Sequence, residues 1–263
     1  MKRPKSSADL HVHTTASDGT AGPRDVLEWA SEATDLSVIA ICDHNTNEGA
    51  LEAASLAHDY RVDVIVGQEV ESSDGHILGL FTPTNVRPGM DALSTIAAIH
   101  AQGGLAIAAH PFAPKWWHKH GLCRGEREVY ETAPFDGIEV ANSTPMLMLA
   151  NFHARRFWRE HRGRLAATGG SDAHMLTVVG TSRTYYPGEG VDDLRAALEN
   201  RTTTGWGPSF QPLRMARYAR KIPEIQARDA ERKARERAAG MGCEECGACE
   251  PEVRERPVGP AAP

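Results

Sequence analysis

The stretch Ala8-Asp9-Leu10-His11-Val12-His13 alternates polar and apolar residues with the two-residue period of a β-strand. That period puts Asp9, His11 and His13 on one face and Leu10 and Val12 on the other. Two imidazoles at i and i+2 near the C-terminal end of a strand can converge on one metal ion. Asp9, one step deeper, is placed to accept an imidazole N–H and so fix a ligand's tautomer. Working outward, the same unit recurs: a short apolar strand that delivers metal-capable N or O atoms at one end. Residues 38–42 run into Asp43-His44, and 62–66 into Gly67-Gln68-Glu69. Residues 105–109 run into His110-Pro111, 165–170 into Ser171-Asp172-Ala173-His174, and His76 opens the strand at 77–81. Singly, each has a plain explanation, such as a helix N-cap for Asp43 or a surface histidine for His110. Their recurrence at strand ends points to one metal-binding face.

The strands expected at 8–13, 37–42, 62–66, 76–81, 105–109, 137–140 and 164–168 are separated by helical patterns at 23–33, 46–60, 91–101, 146–161 and 191–200. Alternating strands and helices imply βαβ units and a mostly parallel sheet. Seven strands before residue 170 suggest an α/β barrel more than an open sheet, and active sites of α/β barrels sit at the strand C-termini. The 263 residues are 41% hydrophobic and 24% charged, a globular composition. A net charge of −6 argues against a broadly basic nucleic-acid binder. The opening MKRPKSSADL has no apolar core of a signal peptide, and the longest apolar run, 36–42, is interrupted by Ser37. An odd number of cysteines (Cys42, Cys123, Cys243, Cys246, Cys249) does not look like a disulfide framework, so a cytoplasmic setting is expected. The catalytic domain is expected at 6–212. The charged stretch 224–239 lacks the apolar periodicity that would dock it, so 213–263 reads as a charged helix and flexible tail.

The motifs together resemble the PHP (polymerase and histidinol phosphatase) family, and among its members the small stand-alone, TrpH-like metal-dependent phosphoesterases. Asp9-Leu10-His11-Val12-His13-Thr14-Thr15-Ala16-Ser17-Asp18-Gly19 is similar to the family's first motif, and Ala40-Ile41-Cys42-Asp43-His44-Asn45-Thr46 to its second. Gly67-Gln68-Glu69, Gly75-His76-Ile77-Leu78-Gly79-Leu80, Ala109-His110-Pro111-Phe112 and Gly170-Ser171-Asp172-Ala173-His174 follow in the family's order. The resemblance implies a distorted (β/α)7 TIM-like barrel carrying two to three divalent metal ions. By it, His11, His13, Glu69 and Asp172 hold one metal. Glu69 bridges to a second, completed by His76 and His110, and Asp18, His44 and His174 hold a third. Imidazole and carboxylate ligands suit Mn, Zn or Fe. Glu71 stands where relatives have a small residue, and it competes with Glu69 for the bridging position. Glu69 is preferred for its offset from Gly67, with Glu71 expected to be dispensable if strand alternation breaks after Gly67.

The amidohydrolases also open with a His-x-His strand, but many bridge their metals through a carbamylated lysine. Between residues 6 and 220 the lysines are Lys115 and Lys119, both in a Pro/Trp/His-rich connection, so a carboxylate bridge and phosphoester chemistry are favoured. The expected activity is hydrolysis of a phosphomonoester or phosphodiester of a small metabolite or nucleotide by metal-activated hydroxide. Asp43 is a candidate for proton relay or for orienting His44, and Arg183 is the first candidate phosphate donor. Arg124, Asn142 and Trp116 are candidate substrate contacts, with Asn142 otherwise a cap of the next helix and Trp116 either stacking on a base or forming part of a flap. Two rival readings are an exonuclease acting on single-stranded RNA or DNA ends and a catalytically silent metal-binding module. No membrane association and no obligate protein partner are expected. Cys243-x-x-Cys246-x-x-Cys249 has no second Cys or His pair and reads as tail rather than zinc ribbon.

Overall fold

Strand alternation with helices produces the barrel expected from the sequence, with two strands, β4 and β8, reversed. The protein is described here from a computed structural model covering residues 5–113, 127–208 and 212–240. The strands are β1 (Lys5–Val12), β2 (Val38–Ile41), β3 (Asp63–Ser72), β4 (Gly75–Leu80), β5 (Leu105–Ala108), β6 (Gly137–Asn142), β7 (Ala166–Gly170), β8 (Arg183–Pro187) and β9 (Thr204–Trp206). They form one sheet in the order β7-β6-β5-β4-β3-β2-β1-β8-β9. β1, β2, β3, β5, β6 and β7 point the same way, whereas β4 is antiparallel to β3 and β5. The ends of β1 and β7 meet through a parallel bridge between Val12 and Ala173, which nearly closes the sheet into a barrel. At the far end of that seam β8 pairs antiparallel with β1, and β9 with β8.

The reversal of β4 comes from a tight hairpin. Ser72 pairs with Gly75 across a two-residue loop, and Gly75 has φ +130, a conformation that favours glycine. The first residues of β4 therefore lie at the same end of the barrel as the last residues of its neighbours. This explains why His76 precedes its apolar strand while the other candidates follow theirs. The hairpin also carries β3 on to Ser72, past the boundary expected at residue 66, because residues 67–72 find a partner in β4.

The helices are α1 (Pro23–Ala33), α2 (Glu48–Leu56), α3 (Ala92–His100), α4 (Arg127–Thr132), α5 (Met148–Glu160), α6 (Gly190–Glu199) and α7 (Pro212–Ala238). Proline at the first position of α1 starts that helix where the sequence placed it. The helix expected at 46–60 ends at Leu56 and continues as a short 3-10 turn, Ala57–Asp59. Inside the barrel, Ala8, Leu10, Ala40, Ile65, Leu78, Leu80 and Ile107 form one core, joined by Leu194 and Leu198 of α6. Outside, Val26, Leu27, Ile39 and Ile41 pack beneath α1 and α2, and Ile77, Ile96, Ile138 and Phe157 beneath α3 and α5. Each of the Val, Leu, Ile and Phe side chains among them contributes roughly 1.5–3 kcal/mol on burial.

The C-terminal segment behaves differently from its composition. Tyr218, Ile225 and Arg232 of α7 are buried, and the first two join the core that contains Val12 and Ala173. These three lie seven residues apart, so the docking stripe is one residue wide and its third member is an arginine. A search for apolar periodicity passes over such a stripe. Residues 241–263, with Cys243, Cys246 and Cys249, lie outside the described residues. Among the described residues no helix is long and apolar enough to cross a membrane.

Candidate metal centre

At the C-terminal mouth of the barrel, β1 does not keep a simple alternation. Its register against β2 shifts between Asp9 and Val12. Ala8 and Leu10 share the inner core, while Val12 packs outside beneath α1 and α2. A bulge of this kind re-aims side chains next to a site. It parts Asp9 from the two histidines and corrects the expected role of Asp9. The Asp9 carboxylate accepts backbone N–H groups from Ser171 (2.8 Å) and Gly180 (2.7 Å), not an imidazole, and so pins the loops that follow β7. Burial pushes its carboxyl up to about 6, against those hydrogen bonds. The imidazole it was expected to orient is held instead by Glu139 of β6, whose Oε1 lies 3.0 Å from His11 Nδ1.

Glu69 occupies the middle of the mouth and is 1% exposed. Its Oε2 lies 3.2 Å from His11 Nε2, 3.3 Å from His13 Nε2 and 3.3 Å from His44 Nδ1. Its Oε1 lies 2.9 Å from both His76 Nδ1 and His110 Nε2. Asp172 Oδ1 is 3.2 Å from His13 Nε2 and 3.6 Å from His11 Nε2. On the outer side, Asp18 Oδ2 is 3.2 Å from His174 Nε2 and 3.9 Å from His44 Nε2. All nine candidate ligands thus come together. Three subsets have donor atoms close enough to share a cation: His13, Asp18, His44 and His174; His11, His13 and Asp172; and His44, Glu69 and His76. Asn45, His110 and Asp172, at three of the contributing strand ends, have positive φ (55, 26 and 55), backbone strain of the kind concentrated at functional sites.

The donor set fits a cation. His11 Nε2 and His13 Nε2 lie 3.1 Å apart, both turned toward carboxylate oxygens. His44 Nδ1 is buried without a hydrogen-bond partner among the described residues. Burial alone would lower the histidines and raise the carboxylates. Hydrogen bonds that His13 donates to the Asp172 and Glu69 carboxylates nevertheless drive it up to about 10, and the imidazoles of His44, His11 and His76 hold Glu69 well below the usual carboxylate range. His44 goes the other way, to about 4, because burial wins there. Protons on His11 and His13 thus stand where a divalent cation would supply the positive charge. Cys42, also buried, has its thiol pushed up by burial and offers no ligand.

The supporting residues are mostly ones that sequence reasoning missed. Glu139 accepts from the backbone N–H of His110 (2.6 Å) through Oε2 while Oε1 faces His11. Thr144 donates its hydroxyl to Asp172 Oδ2 (2.8 Å). Asn142, read as a substrate contact, donates to Glu139 (3.2 Å) and Asp172 (3.3 Å) and braces ligands. Asp43 faces Thr14 and Ser17, accepting from Thr14 N (2.7 Å), Thr14 Oγ1 (2.7 Å) and Ser17 Oγ (2.6 Å), so it anchors the loop that carries Asp18. Arg183 is not brought to the ligands. Its guanidinium pairs with Asp35 and with the Gly180 carbonyl, beside a cavity lined by Trp29, Tyr185 and Trp206. Arg124 and Trp116, with Lys115, Lys119 and Cys123, lie outside the described residues. Glu71 contradicts the expected break in alternation. Pairing of β3 with β4 is continuous from Gly67 to Ser72, so Glu71 lies on the same face as Glu69, one step nearer the rim.

Three relatives bear on this arrangement. An uncharacterized protein of Methanocaldococcus jannaschii is 35% identical over 147 residues, 52% of this chain and 81% of that one. A 5'-3' exoribonuclease of Haemophilus influenzae is 40% identical over 90 residues, and the match spans 32% of each chain. Among solved structures, a two-domain protein from Bacteroides vulgatus containing a predicted PHP-like metal-dependent phosphoesterase superposes with a TM-score of 0.62 at 20% identity, over 78% of this chain and 65% of that one, a likeness of fold. The PHP domain profile matches residues 9–151 and the PHP-associated profile residues 149–203, a span that contains every candidate ligand described above. The chain belongs to the PHP domain family of metal-dependent phosphoesterases.

Proposed function

We propose that the protein hydrolyses a phosphomonoester or phosphodiester of a small metabolite or nucleotide, with two or three divalent cations (Mn, Zn or Fe) held by His11, His13, Asp18, His44, Glu69, His76, His110, Asp172 and His174. The observation that carries this reading is the division of Glu69. One oxygen faces His11, His13 and His44, the other faces His76 and His110, as a carboxylate shared between two cations would. Bound cations supply a water of lowered pKa and offset charge on the phosphoryl oxygens. The chain's own part is to keep those donors fixed. Glu139 fixes the His11 tautomer, Asn142 and Thr144 hold Asp172, and Asp43 holds the Asp18 loop. A cytoplasmic setting belongs to the same proposal.

Turnover by the purified protein, loaded with Mn or Zn, tests it against nucleoside monophosphates, nucleoside bisphosphates, histidinol phosphate and short single-stranded RNA and DNA. Hydrolysis of the small phosphoesters in preference to the oligonucleotides is expected. Preference for the oligonucleotides would replace this reading with an end-acting nuclease. Inertness toward all of them in metal-loaded protein would leave a silent module.

Cation affinity is expected to rise with pH. In cation-free protein His13 is raised to about 10, so at neutral pH it carries a proton that a cation must expel. Each displaced proton strengthens apparent affinity by up to about tenfold per pH unit while the pH is below that value. Mn titrations between pH 6 and 8, in buffers of different ionisation enthalpy, measure both slope and proton release. A flat profile with no released proton would contradict the protonated resting site.

A further inference from the structure

Glu71 is a surplus carboxylate at the rim of the metal centre. Its Oε1 lies 3.5 Å from His44 Nδ1, the buried nitrogen that has no hydrogen bond. The same Oε1 accepts from Arg232 Nη2 at 2.8 Å. Arg232 comes from α7, 161 residues away in the chain, and is 3% exposed. It is held there on its other sides by Asp229 (2.7 Å) and Glu236 (2.7 Å). The second Glu71 oxygen accepts from Asn45 Nδ2 at 3.1 Å, and Asn45 Nδ2 also reaches Glu236 Oε1 at 3.1 Å. Asn45 in turn takes the Glu71 backbone N–H on its Oδ1 (3.0 Å) and donates its own N–H to the Glu69 carbonyl (2.9 Å). The helix therefore grips two things at once: the spare carboxylate and the positive-φ turn that presents His44.

A carboxylate this close to a ligand histidine would compete for a cation unless something else occupied its lone pairs. A guanidinium suits the task, being permanently charged and unable to serve as a ligand itself. We propose that Arg232 is a positioning residue that holds Glu71 out of the metal centre, and that α7 is thereby part of the catalytic unit. The proposal rests on the metal-dependent reading above. It extends the functional chain beyond residue 212, where composition placed the domain boundary.

The test compares wild type, Arg232→Gln, Glu71→Gln and the double variant, all in the full-length chain. Mn binding is titrated for stoichiometry and affinity, and kcat and KM are measured on the best phosphoester. Arg232→Gln frees Glu71, and kcat is expected to fall about tenfold or more with altered Mn affinity, while KM changes little. Glu71→Gln removes the competitor and stays near wild type. The double variant is expected to return to the Glu71→Gln level in both kcat and Mn affinity, because no carboxylate remains to be restrained. Failure of the double variant to recover would overturn the proposal and leave Arg232 as a fastener of α7, as would an Arg232→Gln variant that behaves as wild type. If Arg232→Gln does not fold, Arg232→Lys keeps the charge but cannot span its three carboxylates, and the same rescue by Glu71→Gln is required of it. Absence of Mn binding by wild type would instead defeat the metal-dependent reading itself.

Discussion

Glu69→Ala is expected to abolish turnover, by at least about 10²–10³-fold, the scale seen when a preorganised electrostatic group is lost from an active site. Five histidines approach its two oxygens within 3.3 Å, so no other single substitution disconnects as many ligands. It also leaves those imidazoles, from four different strand ends, with one fewer shared acceptor in a buried setting. Metal per chain after gel filtration, measured beside kcat/KM at saturating Mn, checks the result. Both should collapse together. Retention of wild-type metal content and activity would remove Glu69 from the centre of the site. Glu71→Gln in the same series should cost little, which separates the two carboxylates that share a face.

Glu139→Gln should cost about 10–100-fold in cation affinity, the range for groups that orient metal-ligating histidines. The two Glu139 oxygens accept from different N–H groups, His11 Nδ1 on one side and the His110 backbone on the other. A glutamine turned either way presents an NH₂ to one of them. If it faces His110, a buried backbone N–H loses its acceptor at a cost of about 1–3 kcal/mol. If it faces His11, the ring must give up its Nδ1 proton and keep one on Nε2, the nitrogen that faces Glu69 and Asp172 and that a cation would need. Isothermal titration with Mn, together with the thermal midpoint of the cation-free protein, reads both costs. An affinity equal to wild type would show that His11 does not need Glu139.

Most of the candidate ligands were legible because they sit beside a short apolar run, where sequence and topology coincide, whereas Asp18, in the loop beyond β1, was marked only by the family resemblance. His76 was legible as a residue but not as a position, since the turn cluster Ser72-Ser73-Asp74-Gly75 marks a bend without showing that β4 pairs back on β3. Glu139 was hidden for the opposite reason. It lies inside the strand Gly137–Asn142, among residues that read as uninterrupted core, and nothing local tells a buried carboxylate with three partners from a solvent-facing one. Asp9 was misread because alternation alone cannot show a bulge. Arg183 was chosen for its neighbourhood in sequence, but it enters β8 next to Thr184, which pairs with Ala8 below the bulge of β1, and its guanidinium pairs with Asp35. The docking of α7 was invisible to any count of apolar residues, since a third of its contact stripe is a cation.

The seam between β1 and β7 has a consequence for how the molecule assembles. It is joined near the mouth by a few backbone hydrogen bonds, His13 N to Ala173 O (3.0 Å) and Asp172 N to His11 O (2.8 Å) among them, between segments about 160 residues apart. Contacts of such separation are slow to form, because chain entropy is lost before they reward it. His11 and His13 stand on one side of this junction, Asp172 and His174 on the other. A cation held by both sides works as a clasp, and its binding energy adds to the stability of the closed ring by mass action. Amide hydrogens of His13 and Asp172 are then expected to exchange more slowly as the clasp fills, so that loading the site and holding the ring shut become one equilibrium.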